Sequence, residues 1–267
     1  MAKKIRLIAR LDVKDEHLVK GIQYEGLRKL GAPHDFAVRY YEAGIDELLY
    51  LDTVASLYGR NNLSGILQRT SADVFIPVTA GGGVRSVQDV RALLRAGADK
   101  VAVNTAALKQ PALITAIAQA FGRQCMVLSM QVKKVTPTEK IPSGYEIAID
   151  GARVFTGMDA VEWAKRGESL GAGEICVNSI DCDGTHGGYD LEITGKIAEA
   201  VNIPVIASGG AGKPEHLAEV FTRTGASAGI ISSMLYSPRI ERNYTVQEIK
   251  ESLSAYDIPL RPYRRAR

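Results

Sequence analysis

Two glycine-rich segments of the chain have the composition of phosphate-binding loops. Residues 81–83 read Gly-Gly-Gly, and residues 208–211 read Ser-Gly-Gly-Ala. Each follows an apolar, β-branched stretch and precedes a helical pattern. Glycines at such a position let backbone N–H groups approach an anion, with the N-terminus of the next helix behind them. One such segment would most simply be a tight turn, but two in equivalent positions predict two phosphate sites.

Small polar side chains end the strand that follows each glycine segment. Their hydroxyl and amide groups would complete the two sites, so the chain is expected to bind a small molecule with a phosphate at each end. The predicted phosphate-binding residues are Gly82, Gly83, Asn104, Thr105, Gly209, Gly210, Ser232 and Ser233.

Carboxylates at the ends of other predicted strands could transfer protons. Asp12 ends the first strand and Asp183 follows the sixth, and these two are the best candidates for general acid–base catalysis. For Asp52 and Asp181, in similar places, a supporting or loop-capping role is an equal alternative. Gln131 ends the fifth strand in the position that corresponds to Asp12, but glutamine cannot transfer a proton.

These groups belong to an internal repeat of about half the chain, which is too long for a solenoid unit and indicates two fused half-domains. The matching pairs of segments are 12–14 with 131–133, 44–48 with 171–175, 76–84 with 203–211, and 97–101 with 225–229. Because the repeat carries one phosphate segment in each half, the two phosphate sites are expected to be equivalent.

Short apolar stretches alternate with longer amphipathic ones, which predicts strands alternating with helices. The eight predicted strands span residues 5–12, 47–52, 74–80, 100–104, 124–131, 174–179, 204–208 and 228–233. Two helical patterns, 87–96 and 160–170, are closed by Gly97 and Gly171. With the repeat, this predicts an α/β fold, a single-domain (β/α)8 TIM barrel over residues 1–267 built from two homologous (β/α)4 halves. The alternative is a doubly wound open sheet, which would have one glycine-rich loop at its start.

Two long segments, residues 14–23 and 135–144, follow the first strand of each half and are expected to be loops. In a barrel they would lie on the C-terminal face beside Asp12 and Gln131. There they would act as lids or be ordinary surface loops.

Four charged residues lie at the starts of the first, second, fourth and sixth predicted strands and would therefore meet at the opposite, N-terminal end of the barrel. They are Arg6, Glu47, Lys100 and Glu174. Two acids and two bases in this pattern indicate a salt-bridge network. By itself, such a network is a structural feature that contributes little to the free energy of folding.

The composition excludes several classes of protein. A net charge of +3 over 267 residues gives no reason to expect a nucleic-acid partner, and the basic run at 261–267 is expected to be a solvated terminus. The apolar run after the basic N-terminus is broken by Arg10 and Asp12, so neither a signal peptide nor a membrane span is predicted.

Three cysteines, Cys125, Cys176 and Cys182, lack metal-ligand spacing, and neither a metal nor a cofactor is expected. Cys125 and Cys176 lie in apolar strands and are expected in the core, whereas Cys182 could be exposed. The odd number, without a secretory segment, indicates a reducing, cytoplasmic location.

The chain resembles the cyclase subunit of imidazole glycerol phosphate synthase, one of the (β/α)8 barrels of histidine biosynthesis. The resemblance runs nearly end to end. The segments that carry it are 11–15, 19–21, 46–48, 81–83, 97–101, 104–107, 181–185, 188–190 and 208–212. Together these motifs are very specific.

The resemblance implies an ammonia-dependent lyase that works with a glutaminase subunit as a heterodimer. Ammonia would enter the bottom of the barrel and travel up its axis. At the top it would meet a bisphosphorylated ribulosyl formimino aminoimidazole carboxamide ribotide, which is split and cyclised to imidazole glycerol phosphate and aminoimidazole carboxamide ribotide.

The resemblance also implies roles for particular residues. Asp12 matches one catalytic aspartate and Asp183 a further active-site acid. Lys20, on the first loop, matches a substrate-contacting lysine, and Asp99 matches an interface residue for the glutaminase. Further residues expected to contact substrate are Asp181, Gly184 and Thr185, and those expected to form an ammonia gate are Arg6, Glu47, Lys100 and Glu174.

Two residues depart from the family's pattern. Gln131 stands where the family has its second catalytic aspartate, and Arg10 stands where it usually has a small cysteine. A lost acid–base partner and an added guanidinium would both change the chemistry at the barrel mouth.

Three hypotheses follow. The first is a cyclase subunit, and the second is a paralogue that activates a glutaminase and conducts ammonia to a sugar amidotransferase of surface polysaccharide synthesis. The third is a barrel isomerase of the sister family, which has no ammonia partner. The segment 181–185 and the gate residues argue against the isomerase.

Overall fold

Parallel strands close into a barrel around a single axis. The computed structural model describes residues 4–22, 25–55, 63–237 and 242–261. The strands of that portion of the chain are β1 (Arg6–Lys14), β2 (His17–Ile22), β3 (Glu25–Gly31), β4 (Glu47–Asp52), β5 (Val78–Gly81), β6 (Lys100–Val103), β7 (Met126–Lys134), β8 (Tyr145–Ile149), β9 (Val154–Asp159), β10 (Glu174–Ser179), β11 (Val205–Ser208) and β12 (Ala228–Ile231). Within the described residues, the parallel ring runs β1-β4-β5-β6-β7-β10-β11-β12 and back to β1. The β7–β10 pairing completes it and confirms the eight-stranded closed barrel.

Helices connect the successive barrel strands and cover the outside of the sheet. They are α1 (Pro33–Glu42), α2 (Leu63–Asp73), α3 (Val87–Arg95), α4 (Thr105–Lys109), α5 (Ala112–Phe121), α6 (Ala160–Leu170), α7 (Leu191–Ala200), α8 (Pro214–Arg223), α9 (Ser233–Tyr236) and α10 (Val246–Ser254). The predicted ends of α3 and α6 are confirmed, since the chain leaves each helix through a glycine with positive φ. No helix in the described ranges is long and apolar enough to cross a membrane.

Both halves carry the same insertion after their first strand. The antiparallel hairpin β2–β3 pairs with the end of β1, and β8–β9 pairs with the end of β7. The prediction of a loop over residues 14–23 was wrong, because β1 continues past the barrel and its exposed edge pairs with β2. Residues 135–144 do form a loop, which leads into β8.

Three predicted strand boundaries also need correction. The third strand begins at Val78 rather than residue 74, because Val74 still bonds to Thr70 at the end of α2. The fifth begins at Met126, after a 3₁₀ turn at Arg123–Cys125. The eighth ends at Ile231, and Ser233 already belongs to α9.

Alternation along the strands divides the apolar residues into two shells. One large cluster fills the space between sheet and helices. A second, smaller cluster fills the barrel interior and consists of Ile8, Leu49, Ala102, Val127, Cys176, Ile206, Ala228 and Ile230. Cys125 and Cys176 are buried, as predicted, although Cys125 lies in the 3₁₀ turn, and Cys182 is half-buried.

A buried ion pair holds the last helix, α10, to the base of the barrel. The Lys250 Nζ donates to Asp46 Oδ1 at 2.9 Å and to the Gly44 carbonyl at 2.7 Å. Asp46 Oδ2 in turn accepts the backbone N–H of Leu7 at 2.8 Å. Both charged side chains are over nine-tenths buried, so neither is well solvated if the other is removed.

We predict that Lys250→Met lowers the free energy of unfolding by about 3 kcal/mol, because it leaves the Asp46 carboxylate buried without its cation. Urea unfolding followed by circular dichroism measures this. The matched control Lys165→Met, which removes an exposed pair with Glu162, should cost less than about 0.5 kcal/mol. Equal losses in the two variants would contradict the anchoring role.

Candidate functional site

The C-terminal ends of the barrel strands surround a cavity of about 320 Å³. Gly82, Gly83, Asn104 and Thr105 line one side of it. Its floor consists of residues from the inner apolar cluster, including Cys176. The first predicted phosphate segment therefore opens into a cavity that continues down the barrel axis.

A second, smaller pocket of about 20 Å³ contains the other predicted phosphate segment. The sequence-predicted residues that line it are Lys20, Asp183, Gly184, Gly209, Gly210, Ser232 and Ser233. Arg10, Ser208 and Ile230 line both pockets. Because β5–β6 and β11–β12 lie opposite each other in the ring, the two segments face one mouth from opposite sides.

Close backbone approach requires glycine in both segments. Gly82 has φ +96°, and a Cβ there would lie 2.2 Å from the Asp52 carbonyl oxygen. Gly210 has φ +104°, and a Cβ there would lie 1.9 Å from the Gly188 carbonyl oxygen. Side chains are excluded at both positions, which leaves backbone amides at the edge of each pocket.

Asp12 is buried on β1 between two cations and lines neither of the two pockets. Its Oδ1 accepts the Nε–H of Arg10 at 2.7 Å, and its Oδ2 lies 3.3 Å from the Lys20 Nζ. Arg10 also reaches Asn178 Oδ1 at 3.4 Å, and Asn178 accepts the Ser208 hydroxyl at 2.7 Å. Lys20 is brought here by β2, so the hairpin is joined to the barrel mouth through this ion pair.

The two cations keep Asp12 ionised. Burial alone would raise the pKa of its carboxyl, but Arg10 and Lys20 outweigh burial and hold the pKa below its ordinary value. A carboxylate in this state stays ionised near neutral pH, where it accepts hydrogen bonds but is a weaker proton acceptor than a carboxylate of ordinary pKa.

Gln131 takes the corresponding position in the second half and is neutral. Its Oε1 accepts the Asn104 amide at 3.2 Å and the backbone N–H of Ala152 at 2.9 Å. Through these bonds Gln131 links β7 to Asn104, which follows β6, and to the turn between β8 and β9. The two halves are therefore alike in backbone and different in charge at this position.

The other predicted acids divide into two groups. Asp183 is buried and lines the second pocket. Asp52 accepts the backbone N–H groups of Val54 and Ala55, which is the loop-capping role. Asp181 bonds to Lys133 and to the backbone N–H of Lys134, so it ties its loop to β7.

The four charged residues at the strand starts form a closed ring at the base of the barrel. Arg6 Nη1 lies 2.9 Å from both Glu47 Oε1 and Glu174 Oε1. Lys100 Nζ lies 3.2 Å from Glu47 Oε2 and from Glu174 Oε1. Burial alone would lower the pKa of Arg6, but Glu174 and Glu47 outweigh it and raise that pKa. The ring is formally neutral, with two cations and two carboxylates.

Asp99 lies beside this ring at the start of β6. Its Oδ2 accepts the backbone N–H of Val78 at 2.8 Å, as Asp46 Oδ2 accepts that of Leu7. These equivalent bonds join neighbouring strands at the base. Among the described residues no group of three or more His, Cys, Asp and Glu side chains is arranged to hold a metal ion.

His186 at the second pocket was missed by the sequence analysis. Its Nε2 lies 2.8 Å from the Ser233 Oγ. The residue lies between the motifs at 181–185 and 188–190, in a left-handed conformation with φ +60°. Its position between these two motifs was the sequence feature that could have identified it.

The fold and site define a (β/α)8 barrel with paired glycine loops at the mouth and a charged ring at the base. The family described as histidine biosynthesis protein matches residues 6–241. The chain is 51% identical to the imidazole glycerol phosphate synthase subunit HisF of Desulfatibacillum aliphaticivorans, over 96% of this chain and 97% of that protein. It is 56% identical to the HisF of Legionella pneumophila, over 79% of this chain and 97% of that protein. The chain belongs to the HisF family of histidine biosynthesis proteins.

We predict that Arg10→Met raises the pKa of Asp12, because burial then acts against a weaker opposing charge. In the unmodified chain, ionised Asp12 contributes stability above about pH 4, and this is lost as the pH falls through its depressed folded pKa. Carboxyl ¹³C NMR across a pH titration measures both pKa values. Asp159 serves as the control. Burial would raise the pKa of its carboxyl, but hydrogen bonds from Ser143 and from backbone N–H groups outweigh burial and lower that pKa. An Asp12 titration that does not move in Arg10→Met would contradict the pairing.

Proposed function

We propose that this chain is the ammonia-using cyclase subunit of an imidazole glycerol phosphate synthase, paired with a glutaminase subunit as a heterodimer. One observation carries the proposal: the charged ring, the inner apolar cluster and the two-pocket mouth follow one another along a single axis. The names of its relatives support the same function.

The substrate would be a bisphosphorylated ribulosyl formimino aminoimidazole carboxamide ribotide. One phosphate would lie against Gly82 and Gly83, and the other against Gly209 and Gly210. The remaining residues that we propose as substrate contacts are Lys20, Asn104, Thr105, Asp181, Gly184, Thr185, Ser232 and Ser233. Ammonia, arriving from below, would split the substrate with loss of one water. One fragment would leave as aminoimidazole carboxamide ribotide, and the other, which carries the nitrogen of the ammonia, would cyclise to imidazole glycerol phosphate.

Proton transfer in this chain would depend on Asp12 and Asp183. Asp12 is ionised and is the group that we propose accepts a proton from the attacking ammonia; its depressed pKa makes it a weak base for this step. Gln131 can orient a ligand through hydrogen bonds but takes no part in proton transfer. A general acid–base group typically contributes about 10²–10⁴-fold, so the substitution would slow a reaction that needs two carboxylates by about that factor.

The glutaminase would dock at the base, where the charged ring closes the axis. Its ammonia would have to pass between the ion pairs of Arg6 and Lys100 with the two glutamates. Asp99, next to the ring, is the residue that we propose as a contact with the glutaminase.

A second candidate function is favoured by the charges at the mouth. Both Asp12 oxygens are engaged by cations, and Gln131 replaces the second carboxylate, while the ring at the base is complete. A chain with this pattern could conduct ammonia to a sugar amidotransferase of surface polysaccharide synthesis without acting as a cyclase.

We predict that Arg6→Ala or Lys100→Ala lowers glutamine-dependent turnover by about tenfold or more, while turnover with added ammonia changes much less, because free ammonia can enter through the mouth. Paired steady-state assays with the glutaminase present measure both. Lys165→Ala, on the outside of α6, is the control. Equal falls in the two activities would contradict the gate assignment.

We predict that Gln131→Asp raises ammonia-dependent cyclisation by about 10²-fold, because it restores a second carboxylate opposite Asp12. Turnover of the bisphosphate substrate measures this. Gln131→Asn, which shortens the side chain without adding a charge, is the control. No turnover in the unmodified chain together with recovery in Gln131→Asp would overturn the cyclase as its native function and support the ammonia conduit.

A further inference from the structure

The loop between β10 and α7 packs directly on the second glycine segment. The backbone N–H of Gly188 donates to the Gly210 carbonyl at 2.9 Å. A Cβ on Gly212 would lie 2.4 Å from the His186 carbonyl oxygen and 2.6 Å from the His186 Cβ, so His186 packs directly against the glycine. This contact holds His186 beside the second pocket.

His186 is bonded to a residue that lines this pocket. Its Nε2 lies 2.8 Å from the Ser233 Oγ, and Ser233 is 8% exposed. An imidazole nitrogen either donates or accepts, depending on its protonation and tautomer. If Nε2 accepts, the Ser233 hydroxyl donates its hydrogen to the ring and cannot donate it to an anion. If Nε2 donates, that hydrogen remains available to an anion in the pocket.

The equivalent hydroxyl in the first half has a different partner. Thr105 lines the large cavity, and its Oγ1 accepts the backbone N–H of Asp150 at 3.0 Å. A backbone N–H only donates, so this bond always leaves the Thr105 hydroxyl hydrogen available. The two equivalent hydroxyls therefore differ in their partners. Thr105 accepts from a backbone N–H, which always donates, whereas Ser233 is bonded to an imidazole, whose role changes with its protonation.

We propose that His186 is a positioning residue for anion binding: by donating its Nε2–H to Ser233, it turns the Ser233 hydroxyl into a donor for the anion in the second pocket. In this assignment the neutral ring carries its proton on Nδ1, so Nε2 accepts from Ser233, and protonation of the ring turns Nε2 into a donor. Binding in the second pocket then strengthens as the pH falls, whereas binding in the first pocket does not. The proposal rests on the two anion sites of the proposed function, but not on the cyclisation.

The charges around His186 are consistent with this coupling. Burial lowers the pKa of the imidazole, Lys20 on β2 lowers it further, and Asp183 on the same loop raises it. The ring is therefore mainly neutral at neutral pH when the pocket is unliganded. A bound anion would favour the protonated ring, in which both nitrogens donate, so that binding and proton uptake reinforce each other.

Sulfate is a suitable probe, because it stays a dianion while histidine titrates. The experiment uses the full chain, and the backbone amide resonances of Gly83 and Gly210 report the two pockets separately during sulfate titrations between about pH 5.5 and pH 8. We expect the second pocket to bind about tenfold more tightly at the lower pH, the size of one charge-assisted hydrogen bond. The first pocket should change by less than about twofold.

Three variants distinguish a positioning role of His186, which acts through Ser233, from a purely electrostatic effect of its charge. His186→Gln should abolish the pH dependence at the second pocket, and Ser233→Ala should abolish it while keeping the imidazole. His216→Gln is the matched control, since His216 lies on α8 and accepts the Gly212 N–H, and it should keep the pH dependence. Persistence of the pH dependence in Ser233→Ala would overturn the proposal, because the imidazole would then act only through its charge.

The outcomes also separate this proposal from the proposed function. Sulfate binding in both pockets with the same pH dependence overturns the role of His186 and leaves the two anion sites standing. Absence of binding at the second pocket overturns both the role of His186 and the two-ended substrate. Cyclisation is assayed independently, so its failure alone leaves the role of His186 in place.

Discussion

Closure of the sheet through the β7–β10 pairing is the constraint on which the rest of the structure depends. Once eight strands share one axis, residues two apart on each strand lie at successive depths inside the barrel. Arg6, Ile8 and Arg10 on β1 illustrate this: they belong to the charged ring, the apolar cluster and the polar mouth respectively. A slip of one residue would turn these side chains to the outside and destroy all three levels at once.

The buried charges at the two ends of the axis are costly to desolvate, so stability alone does not account for them. At the base, two acids and two bases neutralise each other in a ring that a small neutral molecule could pass by separating a single pair. At the mouth, the two cations Arg10 and Lys20 are matched by the two carboxylates Asp12 and Asp183. With these charges balanced, anion binding would depend on the backbone N–H groups of the two glycine segments and on the hydroxyls beside them.

The sequence predicted the closed barrel because the repeat, the alternation of strands and helices, and the duplicated glycine segments all indicate the same architecture. It did not predict β2, because this strand is short and its sequence, His-Leu-Val-Lys-Gly-Ile, does not alternate between apolar and polar residues. The His186–Ser233 bond was missed for a different reason. The two residues are 47 apart, and a contact at that distance depends on strand register, which the local pattern does not contain.

The central claim is that the barrel axis carries ammonia from the charged ring to the mouth. The most direct measurement is isotopic: turnover by the complete complex with [amide-¹⁵N]glutamine, followed by mass spectrometry of the aminated product. Unlabelled ammonium is present at a concentration well above that of the ammonia released from glutamine but too low to support turnover through the mouth. The account predicts that the nitrogen in the product comes almost entirely from glutamine, because it never mixes with solvent. A ¹⁵N fraction equal to that of the bulk ammonia pool would show that nitrogen arrives from solution, and would contradict the account.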